Sequence, residues 1–319
     1  MAQRLRVLEL FAGIGGCAAA IGLRADVVAA VESDQEALDV YRHNFEHPTC
    51  EQPVESLPTE WFRACAADVW WMSPPVLPYV SAGLRREIDD PRSKGLLHVF
   101  EQVRIIKPRY IALECVLNFD KSLTRQLLLE TLAAFGYQCQ ETLLCPTDLG
   151  LPNQRRRYYV VAGREALQAW KPKNATQQFS LRDTLDDIPH NELVIAPELL
   201  AMHRNTMHVV DANAANAVSS CFTSDYGRSV NKTGSYLRDA SGLRHFSPVE
   251  MLRQLGFPQT FTLPESTSCA TAWRLVGSSS SIPATQYILD AIPGLVTRYP
   301  SSVASFENGC QMKPSRQEP

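Results

Sequence analysis

Short apolar runs alternate with polar, helix-compatible segments through the first half of the chain. Residues 4–10 (RLRVLEL) and 25–31 (ADVVAAV) predict strands buried on both faces. Residues 69–72, 110–113, 138–144 and 157–162 predict four more. Between them lie helical patterns at 17–23, 35–44, 94–106 and 121–135, with Pro91 and Ser93 suited to start the third. Strands alternating with helices imply an α/β fold: a doubly wound, mostly parallel, Rossmann-like sheet with right-handed crossovers. After Gly163 the pattern changes, and residues 164–245 are irregular and rich in Asn, Thr and Ser. Residues 1–163 plus 266–300 are expected to form the main domain, and 164–265 a second, smaller one. Segments 271–276 and 283–296, the latter an apolar helix, would bring the chain back onto the first domain. Residues 301–319 are expected to be a disordered tail.

With 319 residues, 45% of them hydrophobic and 20% charged, the chain can bury a sizeable core. A net charge of −3 gives no global attraction to nucleic acid, so any such contact needs local basic patches. The nine cysteines are odd in number and lack C-x-x-C spacing, which argues against a disulfide framework or a zinc site. Most are read as reduced, buried small residues, and no metal is expected. No apolar run is long enough to span a bilayer and the amino terminus carries no signal pattern, so a cytoplasmic or nuclear setting without membrane attachment is expected.

Phe11-Ala12-Gly13-Ile14-Gly15-Gly16 joins the first strand to the first helix. Glycines there let backbone N–H groups approach a ligand. Glu32 closes the next strand, where a carboxylate can accept both hydroxyls of a ribose. The turn has no Lys-Ser/Thr pair to cradle a diphosphate, so a nucleoside such as S-adenosylmethionine suits it better.

The series Phe11–Gly16, Ser73-Pro74-Pro75, Leu113-Glu114-Cys115-Val116 and Arg155-x-Arg157 resembles the cytosine-C5 methyltransferases. Cys221-Phe222-Thr223, Tyr226-Gly227 and Thr233-Gly234-Ser235 sharpen the resemblance to the type-2 branch, which methylates a cytosine in the anticodon loop of tRNA-Asp. Leu243-Arg244-His245-Phe246-Ser247-Pro248-x-Glu250 and Leu255-Gly256-Phe257-Pro258 extend the likeness, which covers about residues 5–295. It implies a mechanism in which a thiolate adds to C6 of the flipped-out base and makes C5 nucleophilic toward the methyl group. Loss of the C5 proton and elimination of the thiolate then end the cycle. By this resemblance Glu114 would contact N3, and Arg155 and Arg157 would hold the base and its surroundings. Phe11, Ala12, Gly13, Ile14, Gly15, Gly16, Glu32, Val54, Glu55, Pro75 and Ser278 would hold S-adenosylmethionine and its product S-adenosylhomocysteine. Cys221, Phe222 and Thr223 would meet the substrate, and residues 164–265 would form the target-recognition domain. tRNA is the expected partner and DNA the alternative, with the chain a monomer. Lys121, Arg125, Arg85, Arg86, Arg92 and Lys94 are further candidates for phosphate contact.

The chain departs from the family's pattern on the active-site side. Val76 stands where the family has its attacking Cys, and Leu77 where it has Gln. Cys115 and Ser278 each replace an Asn. Valine forms no bond to a pyrimidine, so covalent catalysis from position 76 is lost. Two readings follow: an enzyme that is inactive or strongly impaired, or a module that binds RNA or cofactor without turnover. Cys115 offers a substitute thiol in the first reading and is a small space-filling residue in the second.

Overall fold

The computed structural model describes residues 4–75, 79, 89–171, 179–187, 191–203, 205–230, 232–240 and 242–295. Val76, Leu77, Arg85, Arg86 and the expected tail lie outside these described residues.

Seven strands form the main sheet: β1 (Arg6–Leu10), β2 (Asp26–Val31), β3 (Thr49–Cys50), β4 (Val69–Met72), β5 (Tyr110–Val116), β6 (Gln138–Leu144) and β8 (Arg157–Gly163). Their order is β3-β2-β1-β4-β5-β8-β6, and only β8 runs antiparallel to its neighbours. β4 shows why the central strands are so apolar. Trp70 and Met72 face one side of the sheet, while Val69 and Trp71 face the other, and all four are buried. Against the first side pack α3 (Thr59–Cys65), α4 (Lys94–Ile106) and α5 (Leu123–Ala134), through Phe62, Val99, Phe100, Leu128 and Leu132. Against the second pack α1 (Gly16–Ile21), α2 (Gln35–Asn44) and α9 (Ile282–Leu289). This is the doubly wound sheet that the pattern predicts.

Several elements differ from that pattern. The short helix α3 and the two-residue β3 carry no strong periodic signal and were not expected. Residues 271–276 lie within a helix, α8 (Cys269–Ser278), and α9 ends well before residue 296. The chain therefore returns to the main sheet with helices. Among the described residues, no strand after β8 joins it.

A second, three-stranded sheet has the order β12 (Gly242–Arg244), β11 (Ser235–Asp239), β9 (His208–Asp211). Two further short strands, β7 (Asn153–Gln154) and β10 (Ser219–Ser220), pair in parallel and tie this region to the segment before β8. The remaining helices are α6 (Pro197–His203) and α7 (Pro248–Gln254). A third apolar cluster joins Phe222, Tyr226, Leu237, Phe246 and Met251 to Ile14, Ala20, Ala37 and Val40 of the first half. The Arg244-to-Glu250 motif is structural. Arg244 and Glu250 form a buried ion pair at 2.8 Å, and Ser247 caps α7 by accepting the Glu250 N–H at 3.1 Å. Such a pair is costly to break, because either partner alone would be an uncompensated buried charge.

Candidate active site

The glycine-rich turn leaves β1 at Phe11, which has a left-handed φ of 57°. The Ala12 N–H donates to the Val31 carbonyl at 2.9 Å, fixing the turn to the end of β2. Gly15 has a φ of 90°, and a Cβ there would lie 2.5 Å from the Phe45 ring, so only glycine fits. Glu32 accepts from Gly13 N–H at 2.8 Å through one oxygen, and from Ser33 and Asp34 N–H at 2.8 and 2.9 Å through the other. Of the roughly four acceptor positions on a carboxylate, about one is left for a ribose hydroxyl. Glu32 thus shapes the turn as well as offering a ligand contact. A Cβ on Gly95 of α4 would lie 3.1 Å from both the Phe11 ring and the Glu55 carboxylate, so these side chains converge on the helix beside the turn. These residues fit a nucleoside cofactor: a tight turn, an acceptor at the strand end and an aromatic face.

The other expected cofactor residues are less uniform. Ala12, Ile14 and Val54 are buried within apolar clusters, whereas Pro75 is exposed. Ser278 is also exposed, and its hydroxyl donates back to the Arg274 carbonyl at 2.9 Å. Ser279 and Ser280 lie against Gly16 instead: a Cβ on Gly16 would meet the Ser280 hydroxyl at 2.8 Å. Sequence matching stopped at the first serine of the run 278–281 and missed the two that approach the turn.

Glu114 sits near the end of β5, almost fully buried. The Ser73 hydroxyl, just past β4, donates to one of its oxygens at 2.7 Å, and Arg157 Nε stands 3.3 Å from the other. The β5–β8 register sets Val116 opposite Arg157, which brings that guanidinium to the carboxylate. Two residues earlier, Arg155 is fixed by the β7–β10 pairing, in which Asn153 Nδ2 donates to the Ser219 hydroxyl at 2.8 Å. Its Nη1 donates to the Phe222 carbonyl at 2.8 Å and lies 3.2 Å from Cys221 Sγ. Arg157 Nη2 is 3.5 Å from the same sulfur. Glu114, Arg155, Arg157 and Cys221 therefore form one largely buried polar cluster.

Burial and the neighbouring Arg157 charge hold the Arg155 pKa below its ordinary value. Arg157 is also penalised by burial, yet Cys221 and Glu114 raise it on balance. For Cys221 burial alone would push the thiol up, but Arg155 and Arg157 outweigh it and the pKa falls below the usual range. Cys221 also lines a cavity of about 330 Å³, together with Thr206, His208, Ser220, Lys232 and Gly234.

Cys115 is placed differently. Side chains alternate along a strand, so Cys115 points away from Glu114 and into the apolar cluster with Ile111, Leu113 and Phe119. It is 0% exposed, and burial pushes its thiol far up. It fills space and cannot reach a base lying against Glu114.

Phe222 also differs from the expected substrate contact. Its ring is 1% exposed, packed on Tyr226 and Phe246, so only its carbonyl serves the site, by holding Arg155. Thr223 is partly buried, with its N–H donating to the Thr233 carbonyl. Among the basic candidates, Arg125 is paired with Glu141 and Arg92 with Asp90, both at 2.7 Å, while Lys94 and Lys121 are exposed, as is Arg156 between the two site arginines. All eight described cysteines are free thiols. No helix among the described residues is long and apolar enough to cross a membrane.

The family model for C-5 cytosine-specific DNA methylase matches residues 5–294. The Bos taurus protein named tRNA (cytosine(38)-C(5))-methyltransferase is 30% identical, over 88% of this chain and 97% of its own. The crystal structure of the Schizosaccharomyces pombe Dnmt2 methyltransferase is 26% identical with a TM-score of 0.81, covering 91% of this chain and all of that one. A methyltransferase of Entamoeba histolytica, 24% identical, shares the fold with a TM-score of 0.83, over 91% of this chain and 99% of its own. The family uses S-adenosylmethionine, and the doubly wound sheet is its Rossmann-like methyltransferase fold. From Leu5 to Gly294, this chain belongs to the C-5 cytosine-specific methylase family.

Proposed function

We propose that the chain binds S-adenosylmethionine and tRNA as a member of the tRNA-methylating branch, with methyl transfer strongly impaired by Val76. One observation carries this reading. Glu114, held between Ser73 and Arg157, keeps the family's base-binding carboxyl in place while position 76 holds a side chain without a nucleophilic atom. When bound, S-adenosylmethionine would supply an electrophilic methyl group. Phe11, Gly13, Gly15, Gly16 and Glu32 would hold it, and Glu114 would hydrogen-bond at N3 of a flipped-out cytosine. Residues 164–265 would act as the target-recognition region, and the exposed Lys94, Lys121 and Arg156 would meet phosphates with salt-dependent affinity.

The test compares labelled methyl transfer from S-adenosylmethionine to total tRNA by this protein and by its Val76→Cys variant. The variant should be faster by on the order of 10⁴-fold. Equal rates would refute the impairment, and no calorimetric heat with millimolar S-adenosylmethionine would refute cofactor binding.

A further inference from the structure

Cys221 differs from the other described thiols in its electrostatic setting. Its sulfur lies 3.2 Å from Arg155 Nη1 and 3.5 Å from Arg157 Nη2. Arg155 is 4% exposed, and its Nε has no hydrogen-bond partner among the described residues. Among the described residues, the buried Arg155 and the largely buried Arg157 face one buried carboxylate, Glu114, so these groups carry an excess positive charge that an anionic sulfur would balance. Cys221 also lines the 330 Å³ cavity, so a small reagent has a place from which to approach it.

We infer that Cys221 is a modification site: a thiolate held by Arg155 and Arg157 that a hydroperoxide entering the cavity converts to a sulfenic acid. The sulfur attacks one peroxide oxygen, and the S–O bond forms as the O–O bond breaks. The departing hydroxide or alkoxide takes a proton from water. Sulfur is oxidised by two electrons and the peroxide is reduced by two. The new oxygen lands beside both guanidiniums, where it competes with Glu114 for Arg157.

The competing thiols make the assignment testable. Cys139 and Cys269 are more exposed than Cys221, but burial of the sulfur pushes Cys139 up to about 11 and raises Cys269 as well. Arginine neighbours lower Cys221 instead. Of these thiols Cys221 therefore carries the larger thiolate fraction at neutral pH.

The full-length protein would be treated with limiting hydrogen peroxide at pH 7, trapped with a cyclic 1,3-diketone and digested for mass spectrometry. Adducts should form faster at Cys221 than at Cys139 or Cys269, with a rate midpoint below the ordinary thiol pKa. Cys221→Ser should remove the adduct and keep the parent's far-UV spectrum and melting transition. An Arg157→Gln variant that stays folded should move the rate midpoint upward. Adducts mainly at Cys139 or Cys269, or a Cys221 rate that rises only near pH 9, would overturn the assignment.

Discussion

Gly277 provides a test in which helix propensity and packing predict opposite signs. It lies in α8, where alanine would ordinarily stabilise by about 0.8–1.0 kcal/mol. A Cβ at this position, however, would lie 2.2 Å from the Thr223 carbonyl oxygen and 2.6 Å from its carbon. Carbon–oxygen contacts settle at about 3.3–3.6 Å, so more than an ångström must be opened. Both obstacles are backbone atoms, and neither can rotate away. The Thr223 N–H is held by the Thr233 carbonyl, and two residues earlier Cys221 is held by the arginines. Overpacking against rigid neighbours costs about 1–3 kcal/mol, and the upper end applies here. Gly277→Ala should therefore lose about 2 kcal/mol net, read as a lower urea-unfolding midpoint at unchanged m-value. A variant more stable than the parent by about 1 kcal/mol, as propensity alone demands, would refute the close approach of α8 to the Cys221-Phe222-Thr223 segment.

Two further outcomes follow from buried carboxyls. In the Val76→Cys background, Glu114→Gln should lower methyl transfer to tRNA by about 10²–10⁴-fold while calorimetric S-adenosylmethionine binding holds, and a loss under tenfold would remove Glu114 from the chemistry. Glu9, buried beneath the turn with Tyr41 donating to it at 3.2 Å, has its pKa pushed up by burial to about 8. A carboxyl raised in the folded state favours folding fully below about pH 4.5, and that contribution is lost as pH climbs toward 8. Unfolding free energies from urea titrations should fall across this window for the parent, by at most about 5 kcal/mol, and stay flatter for Glu9→Gln. Parallel curves for the two proteins would show that Glu9 is not the titrating group.

The sheet was legible because its central strands are buried on both faces, which forces continuous apolar runs such as Val69–Met72. The helices that cover it carry helix-period patterns and caps, as where Ser122 accepts the Arg125 N–H. Elements that draw their stability from neighbours were not legible. β3 has two residues and is held by pairing with β2, and α3 has seven, too few for a periodic signal. α8 was visible only as an apolar segment. Its helical geometry depends on the Ser268 cap and on the channel that Gly277 opens for Thr223.

The site divides along the same line. Phe11, Gly13, Gly15, Gly16, Glu32 and Glu114 could be located from sequence, at a turn or at a strand end, because those positions follow from backbone conformation. Glu114 and Cys115 show where residue identity falls short. They are adjacent in the chain, yet the strand's period of two sends one carboxyl to Ser73 and Arg157 and the neighbouring thiol into the core. Cys221 is the converse. It is remote in sequence from every member of the cluster, and its sulfur meets Arg155 and Arg157 only because the β7–β10 pairing sets the two segments side by side. A thiol's reactivity depends on the charges within a few ångströms of it, and those charges are fixed by strand register. Of the two cysteines, the one nearer Glu114 along the chain is therefore shut in the core with its thiol pushed up, and the distant one has its thiol lowered by two arginines.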